Sequence, residues 1–171
     1  MRSTGFAAAV AFMVAVAGCA SHEVTGNSAN PGRSPAAGAL PPASRHRLAA
    51  AYLAIARPAN DKLDKAETGY SANRKTDLAA AEAALRSQAA IERGFDRQLA
   101  AIRFPPAIEE TATALIRVNQ IRIAFTLRQS RAHSVRAMLA FTAGHRAADA
   151  EVEAQVSTIR AQLGLPPPST S

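Results

Sequence analysis

The sequence contains no tryptophan, six phenylalanines, two tyrosines and a single cysteine, Cys19, in 171 residues. One thiol excludes an internal disulfide, a CxxC redox pair and a thiolate zinc cluster. A chain this poor in aromatic and alternating β-branched residues is a poor β-sandwich. Its apolar fraction, 48% and dominated by alanine, favours closely packed helices. The apolar run at residues 6 to 18 would span about 20 Å as a helix, short of a hydrocarbon core of about 30 Å. Missing too are a G-x-S-x-G elbow, a glycine loop that could cradle phosphate, and the Glu-x-x-His pairs of di-iron bundles. These absences lead us to expect no enzymatic activity and no metal or bound cofactor.

What is present begins with a leader. Arg2 supplies a positive start, Phe6 to Gly18 an apolar stretch, and small residues precede the cysteine. The four residues Val16-Ala17-Gly18-Cys19 resemble the lipobox of bacterial lipoproteins. That resemblance implies removal of residues 1–18 and a diacylglyceryl group on the Cys19 thiol. Two acyl chains anchor stably where one holds marginally, at about 0.8 kcal/mol per buried methylene. An alkylated thiol also removes the liability of a free cysteine in an oxidising compartment. The expected location is the outer face of the cytoplasmic membrane. In a Gram-negative cell, Ala20 rather than aspartate after the cysteine implies the outer membrane instead. The bias towards Ala, Arg, Gly and Pro leans to an actinobacterium.

Residues 19–43 carry the lipidated cysteine and then Ser, Asn, Gly and Pro with few large apolar side chains, the composition of a flexible linker. Helical periodicity begins at Ser44, a candidate cap, and continues through Leu48, Tyr52, Ile55, Leu63 and Tyr70. Pro58 predicts a kink or split in that helix, and Gly69 with the following SANRK predicts a turn. A second helix is expected from Thr76 or Asp77 to Phe104, and a third from Pro106 with Glu109 and Glu110 in its first turn. A fourth is expected from Ser134 to Leu163, stopped by Gly164. The predicted fold is all-α: an up-down-up-down four-helix bundle over residues 44–165, followed by a disordered Pro-rich tail at 166–171. A three-helix bundle with the first helix loosely attached is the second choice. This body also resembles the small Ala- and Arg-rich helical lipoproteins of actinobacteria, through FDRQLAAIRFP (residues 95 to 105) and LGLPPP (163 to 168). The resemblance implies an envelope protein and carries no activity over.

Two sets of residues interrupt the helical pattern. Polar residues fall mid-stripe: Gln88 and Glu92 in the second helix, Asn119 and Arg122 in the third, Thr142, His145 and Asp149 in the fourth. They predict a polar layer of Glu92, Asn119, Arg122, His145 and Asp149 across the bundle. It could be a salt-bridge layer of Arg122 with Glu92 or Asp149 that fixes helix register. It could instead be a small-molecule pocket, or a rotated, solvent-facing set. One histidine with two carboxylates is a poor zinc set. Gly94 and Gly144, inside helices, suggest close helix approach.

Charge gives the second set. Net charge is +7, and no acidic residue lies between Glu110 and Asp149. Up-down topology would gather Arg74, Lys75, Arg128, Arg131 and Arg136, with His133, at one end of the bundle. Such an end suits anionic headgroups, an anionic polymer or an acidic envelope protein. Nucleic acid is not expected outside the cytoplasm from a surface without interleaved aromatics. The sequence therefore predicts a membrane-anchored, non-enzymatic binding or interaction module acting through its basic face. The alternative is a small-molecule-binding bundle using the polar layer.

Overall fold

The computed structural model describes residues 40–168. The expected leader, the lipobox with Cys19, most of the linker and the last three residues of the tail lie outside the described residues. Among the described residues five helices follow in order: α1 Pro42–Asn73, α2 Leu78–Ala101, α3 Pro106–Gln129, α4 Val135–Leu139 and α5 Thr142–Gln162. The four long ones form an all-α four-helix bundle, with α1 packed on α2, α2 on α3 and α3 on α5. One core cluster unites Tyr52 of α1, Leu99 of α2, Leu115 of α3 and Ile159 of α5. Early residues of α1 and α3 thus meet late residues of α2 and α5, so the helices alternate in direction.

Local chemistry sets most boundaries. The Asp77 carboxylate accepts from Ala80 N at 2.9 Å and caps α2, and Ser134 Oγ accepts from Ala137 N at 3.1 Å to cap α4. Pro106 opens α3 with Glu109 in its first turn. After α5, Gly164 takes φ 70°, the left-handed conformation that lets a helix stop without a Cβ clash.

Three expectations are corrected. The first helix starts at Pro42, two residues early, and is not split at Pro58 but runs through it as one 32-residue helix. Pro58 and Ala54, whose carbonyl the ring crowds, are both exposed, so water can take the lost hydrogen bond. The helix also continues past Gly69, whose carbonyl accepts from Asn73 Nδ2 at 2.8 Å; the turn comes only at Arg74–Thr76. The last helix is two, broken at Ala140–Phe141. The short piece, α4, swings Met138 fully inside against Tyr70, Ala81 and Leu85 and closes the end of the bundle.

The buried line of α1 is Ala49, Tyr52, Ala56 and Asn60, with Leu48, Ile55 and Leu63 half-buried at its flanks. Alanine on the innermost line permits close approach, while the larger side chains cover the seams. Arg160 Nε donates to Pro166 O at 2.7 Å, which ties the first residue of the Pro-rich tail to α5.

Candidate functional site

The polar residues predicted to interrupt the helix stripes come together mid-bundle. Glu92 on α2, and Asn119 and Arg122 on α3, are all buried. Arg122 Nη2 lies 3.0 Å from Glu92 Oε1, and its Nη1 lies 3.6 Å from Asp149 Oδ1 on α5. One guanidinium therefore links three helices. His145, one turn before Asp149, is half-buried and stands beside the layer, its ring tilted against Phe125 with centroids 6.2 Å apart. Among the described residues no three His, Cys, Asp or Glu side chains form a group that could hold a metal ion, so Glu92, His145 and Asp149 do not make a metal site.

The structure adds residues that periodicity alone did not single out. Asp96, one turn after Glu92, is buried and accepts from Asn119 Nδ2 at 2.8 Å. Glu92 and Asp96 at i and i+4 sit on one helix stripe, so extending the polar layer by a turn would have found it. Asn60 and Arg160 are also buried, and neither lay on an expected core stripe.

Several polar atoms of this interior are left without a hydrogen-bond partner: Glu92 Oε2, Asn119 Oδ1, Arg122 Nε and His145 Nε2. The Asn119 amide is oriented by its bond to the Asp96 carboxylate, which must receive the NH2; its carbonyl oxygen is therefore the free end. The first three atoms belong to residues lining one slot in the bundle interior, to which all four long helices contribute, with Tyr52 of α1, Phe95 of α2, Leu115 of α3 and Val156 and Arg160 of α5 also in its lining. The slot has an enclosed volume of about 30 Å³, room for roughly two water molecules. Of the neighbouring helices around it, α1 and α5 lack the close backbone approach that joins the other neighbouring pairs.

Burial dominates the electrostatics. It pushes the Glu92 carboxyl up to about 7, against the opposing pull of Arg122 and with help from Asp149 and Asp96. The 3.0 Å ion pair and the raised value pull in opposite directions. Desolvation is the largest effect and outweighs the attraction of Arg122. Asp96 and Asp149 are raised for the same reason, and burial lowers His145. Burial also lifts the Tyr52 hydroxyl to about 12, with Arg160 working against it.

The basic residues gather as the topology predicts. Arg74 and Lys75 lie in the α1–α2 connection, Arg128 in the last turn of α3, Arg131 just beyond it and Arg136 in α4. Gln129 ties these segments into one end, donating from Nε2 to Tyr70 Oη at 2.9 Å and to Met138 O at 3.0 Å. Lys75, Arg128, Arg131 and Arg136 are exposed, as is His133, and Arg74 is half-buried. Arg128 lies over the Phe125 ring at 6.0 Å. None of the five cations is ion-paired among the described residues; the nearest acidic group in sequence, Asp77, uses Oδ1 for its cap, and Arg74 bonds the Tyr70 hydroxyl.

No family model matches the chain, and neither a curated protein nor a solved structure does.

Proposed function

We propose that this protein is an exported, non-enzymatic binding module, held to the envelope by a diacylglyceryl group on Cys19 and engaging an anionic partner through its basic end. The partner is an anionic envelope polymer or the acidic face of an envelope protein. The observation that carries the reading is the convergence of Arg74, Lys75, Arg128, Arg131 and Arg136, from separate chain segments, on one end without pairing carboxylates. A surface of one sign steers anionic partners and loses affinity as salt screens it. The arrangement also suits a tethered protein. The linker enters at the start of α1, and a 32-residue helix carries the basic end about 48 Å away from that point.

The test is crosslinking of the lipidated protein in its native envelope, compared with an Arg128→Glu, Arg131→Glu variant. Salt-sensitive capture lost in the variant supports the reading. Capture that ignores both salt and the charge reversal overturns it.

A specific observation favours a second reading, in which the interior slot is a small-molecule site. Three buried polar atoms on α2 and α3, Glu92 Oε2, Asn119 Oδ1 and Arg122 Nε, have no partner in the protein and belong to residues lining that slot. Buried polar groups cost stability when unsatisfied, so water or a ligand must serve them. Substituting Glu92 should impair this function and leave binding at the basic end unchanged.

A further inference from the structure

We propose that the slot in the interior of the bundle binds a small molecule with a cationic amine head and a short apolar body, the head seated on Glu92 Oε2 and Asn119 Oδ1. The proposal rests on the reading of the slot as a small-molecule site and names the class of molecule it takes.

The argument begins with the unmet hydrogen-bond capacity. Glu92 Oε2 and Asn119 Oδ1 are both acceptors, buried on adjacent helices among the residues that line the slot. Asn119 cannot turn its NH2 towards the slot without abandoning the 2.8 Å bond to Asp96. Of the three unpartnered atoms on the slot's lining residues two are thus acceptors and one, Arg122 Nε, is a donor. A head that donates serves the two acceptors, and an ammonium group offers three N–H bonds, while Arg122 Nε is left to water.

Water can donate as well, and charge decides between them. Glu92, Asp96 and Asp149 are clustered about one guanidinium, Arg122, whose two terminal nitrogens are taken by Glu92 and Asp149. The layer is short of positive charge. A carboxylate buried without enough cation takes up a proton instead; at Glu92 burial is the main cause of the raised value of about 7, and the Asp149 and Asp96 charges add to it. An organic cation would supply the missing charge, whereas a carboxylate head would add a fourth anion to the cluster. Metal ions are poorly served, because the side chains do not form a ligand group.

The walls define the body. Tyr52 and Phe95 meet edge to face at 6.4 Å, and Leu115, Val152 and Val156 complete an apolar lining. Aromatic faces also favour a nearby ammonium. Arg160, which also lines the slot and is held by Pro166 O, would repel a second cation, which disfavours diamines. The enclosed volume of about 30 Å³ is smaller than such a molecule. The seam must therefore widen, and α1 and α5 are the neighbours with least close backbone contact to break.

The test uses three probes of one size, n-butylammonium, n-butanol and butyrate, titrated into the full chain in detergent at pH 8. Binding is read by ligand-detected NMR and by the thermal unfolding midpoint. We expect n-butylammonium to bind at least tenfold more tightly than either other probe. Glu92→Gln should remove that preference, and Val156→Phe, which fills the slot with a larger apolar side chain, should abolish binding. Both variants are checked for an unchanged helical spectrum. If n-butanol binds as well as n-butylammonium, and Val156→Phe abolishes both, the slot is a small-molecule site and the amine class is wrong. If no probe binds, or binding survives Val156→Phe, the slot holds water alone and the underlying reading falls with the proposal.

Discussion

Arg122 of α3 and Glu92 of α2 meet at 3.0 Å, with side chains only 9% and 7% exposed. The pair is buried, and Arg122 also reaches Asp149 at 3.6 Å, so removing the arginine strands two carboxylates at once. Breaking a buried pair from one side costs about 3–5 kcal/mol, because the remaining charge has no partner. Arg122→Met should therefore lower stability by about that amount in urea unfolding. Added to a Glu92→Gln protein, the same substitution should cost at least about 1 kcal/mol less, since neighbouring sites couple. Additive losses in the four-protein cycle would mean that the ion pair contributes nothing specific.

The pH dependence follows from the same cluster. Glu92, ordinarily near 4.5, titrates at about 7 in the folded protein, so the folded state holds an extra proton between those values. Its contribution to stability is fully present below about pH 4.5 and is lost as pH rises through about 7. Asp96 and Asp149, also raised, act in the same direction from their own lower range. His145, lowered by burial, acts oppositely: its contribution is lost as pH falls below its ordinary 6.5. The groups about Glu92 are Asp96 on its own helix, Arg122 on α3 and Asp149 on α5, so the carboxylates outnumber the opposing histidine. The urea midpoint should fall between pH 5 and pH 8 by the equivalent of a few kcal/mol, at about 1.4 kcal/mol per pKa unit. Glu92→Gln should flatten most of that slope.

The bundle and its polar layer were readable because both rest on period. Helix faces repeat at three and four residues, and Glu92, Asn119, Arg122 and Asp149 break those faces at matching heights. The break of the last helix at Ala140–Phe141 was not readable. No proline stands there, and Gly144 lies beyond it; what bends the chain is tertiary, the burial of Met138 against Tyr70 and the bond from Gln129 to its carbonyl. At Pro58 the expectation of a kink or split fails only as to the split, since a helix breaker on a wet face can be carried within one helix. The roles of Asn60 and Arg160 depend on how α1 and α5 rotate about their axes, which alanine-rich faces leave weakly specified.

The two mid-helix glycines separate sharply in three dimensions. A Cβ at Gly144 would sit 2.9 Å from Phe125 Cε1, so there the close approach is real. At Gly94 the nearest side-chain atom is the flexible end of Arg97, at 4.0 Å, and nothing demands a glycine. Gly94→Ala should stabilise the protein by about 0.5–1 kcal/mol through helix propensity alone. Gly144→Ala should instead destabilise it, because the Phe125 ring must move and disturb its contacts with His145 and Arg128. Thermal unfolding of the two variants, with midpoints shifted in opposite directions, checks this.

Gln129 offers a way to loosen the basic end without touching its charge. Its side-chain NH2 joins α3 to the Tyr70 hydroxyl of α1 and to the Met138 carbonyl of α4, and the residue is only 4% exposed. Each partner keeps another bond, the Tyr70 hydroxyl to Arg74 and Met138 O to Phe141 N at 3.4 Å, so each lost hydrogen bond costs about 0.5–1.5 kcal/mol. Gln129→Ala should thus lower overall stability by about 2 kcal/mol, and open α4 before the rest of the bundle because α4 is short and held by few other bonds. Amide exchange at residues 135–139 should quicken well beyond that of α2 or α3. If the basic end acts as one assembled surface, capture of an anionic partner should weaken in this variant although no cation has been removed. Undiminished capture, with α4 demonstrably loosened, would mean that the cations act independently and that their convergence on one end carries no function.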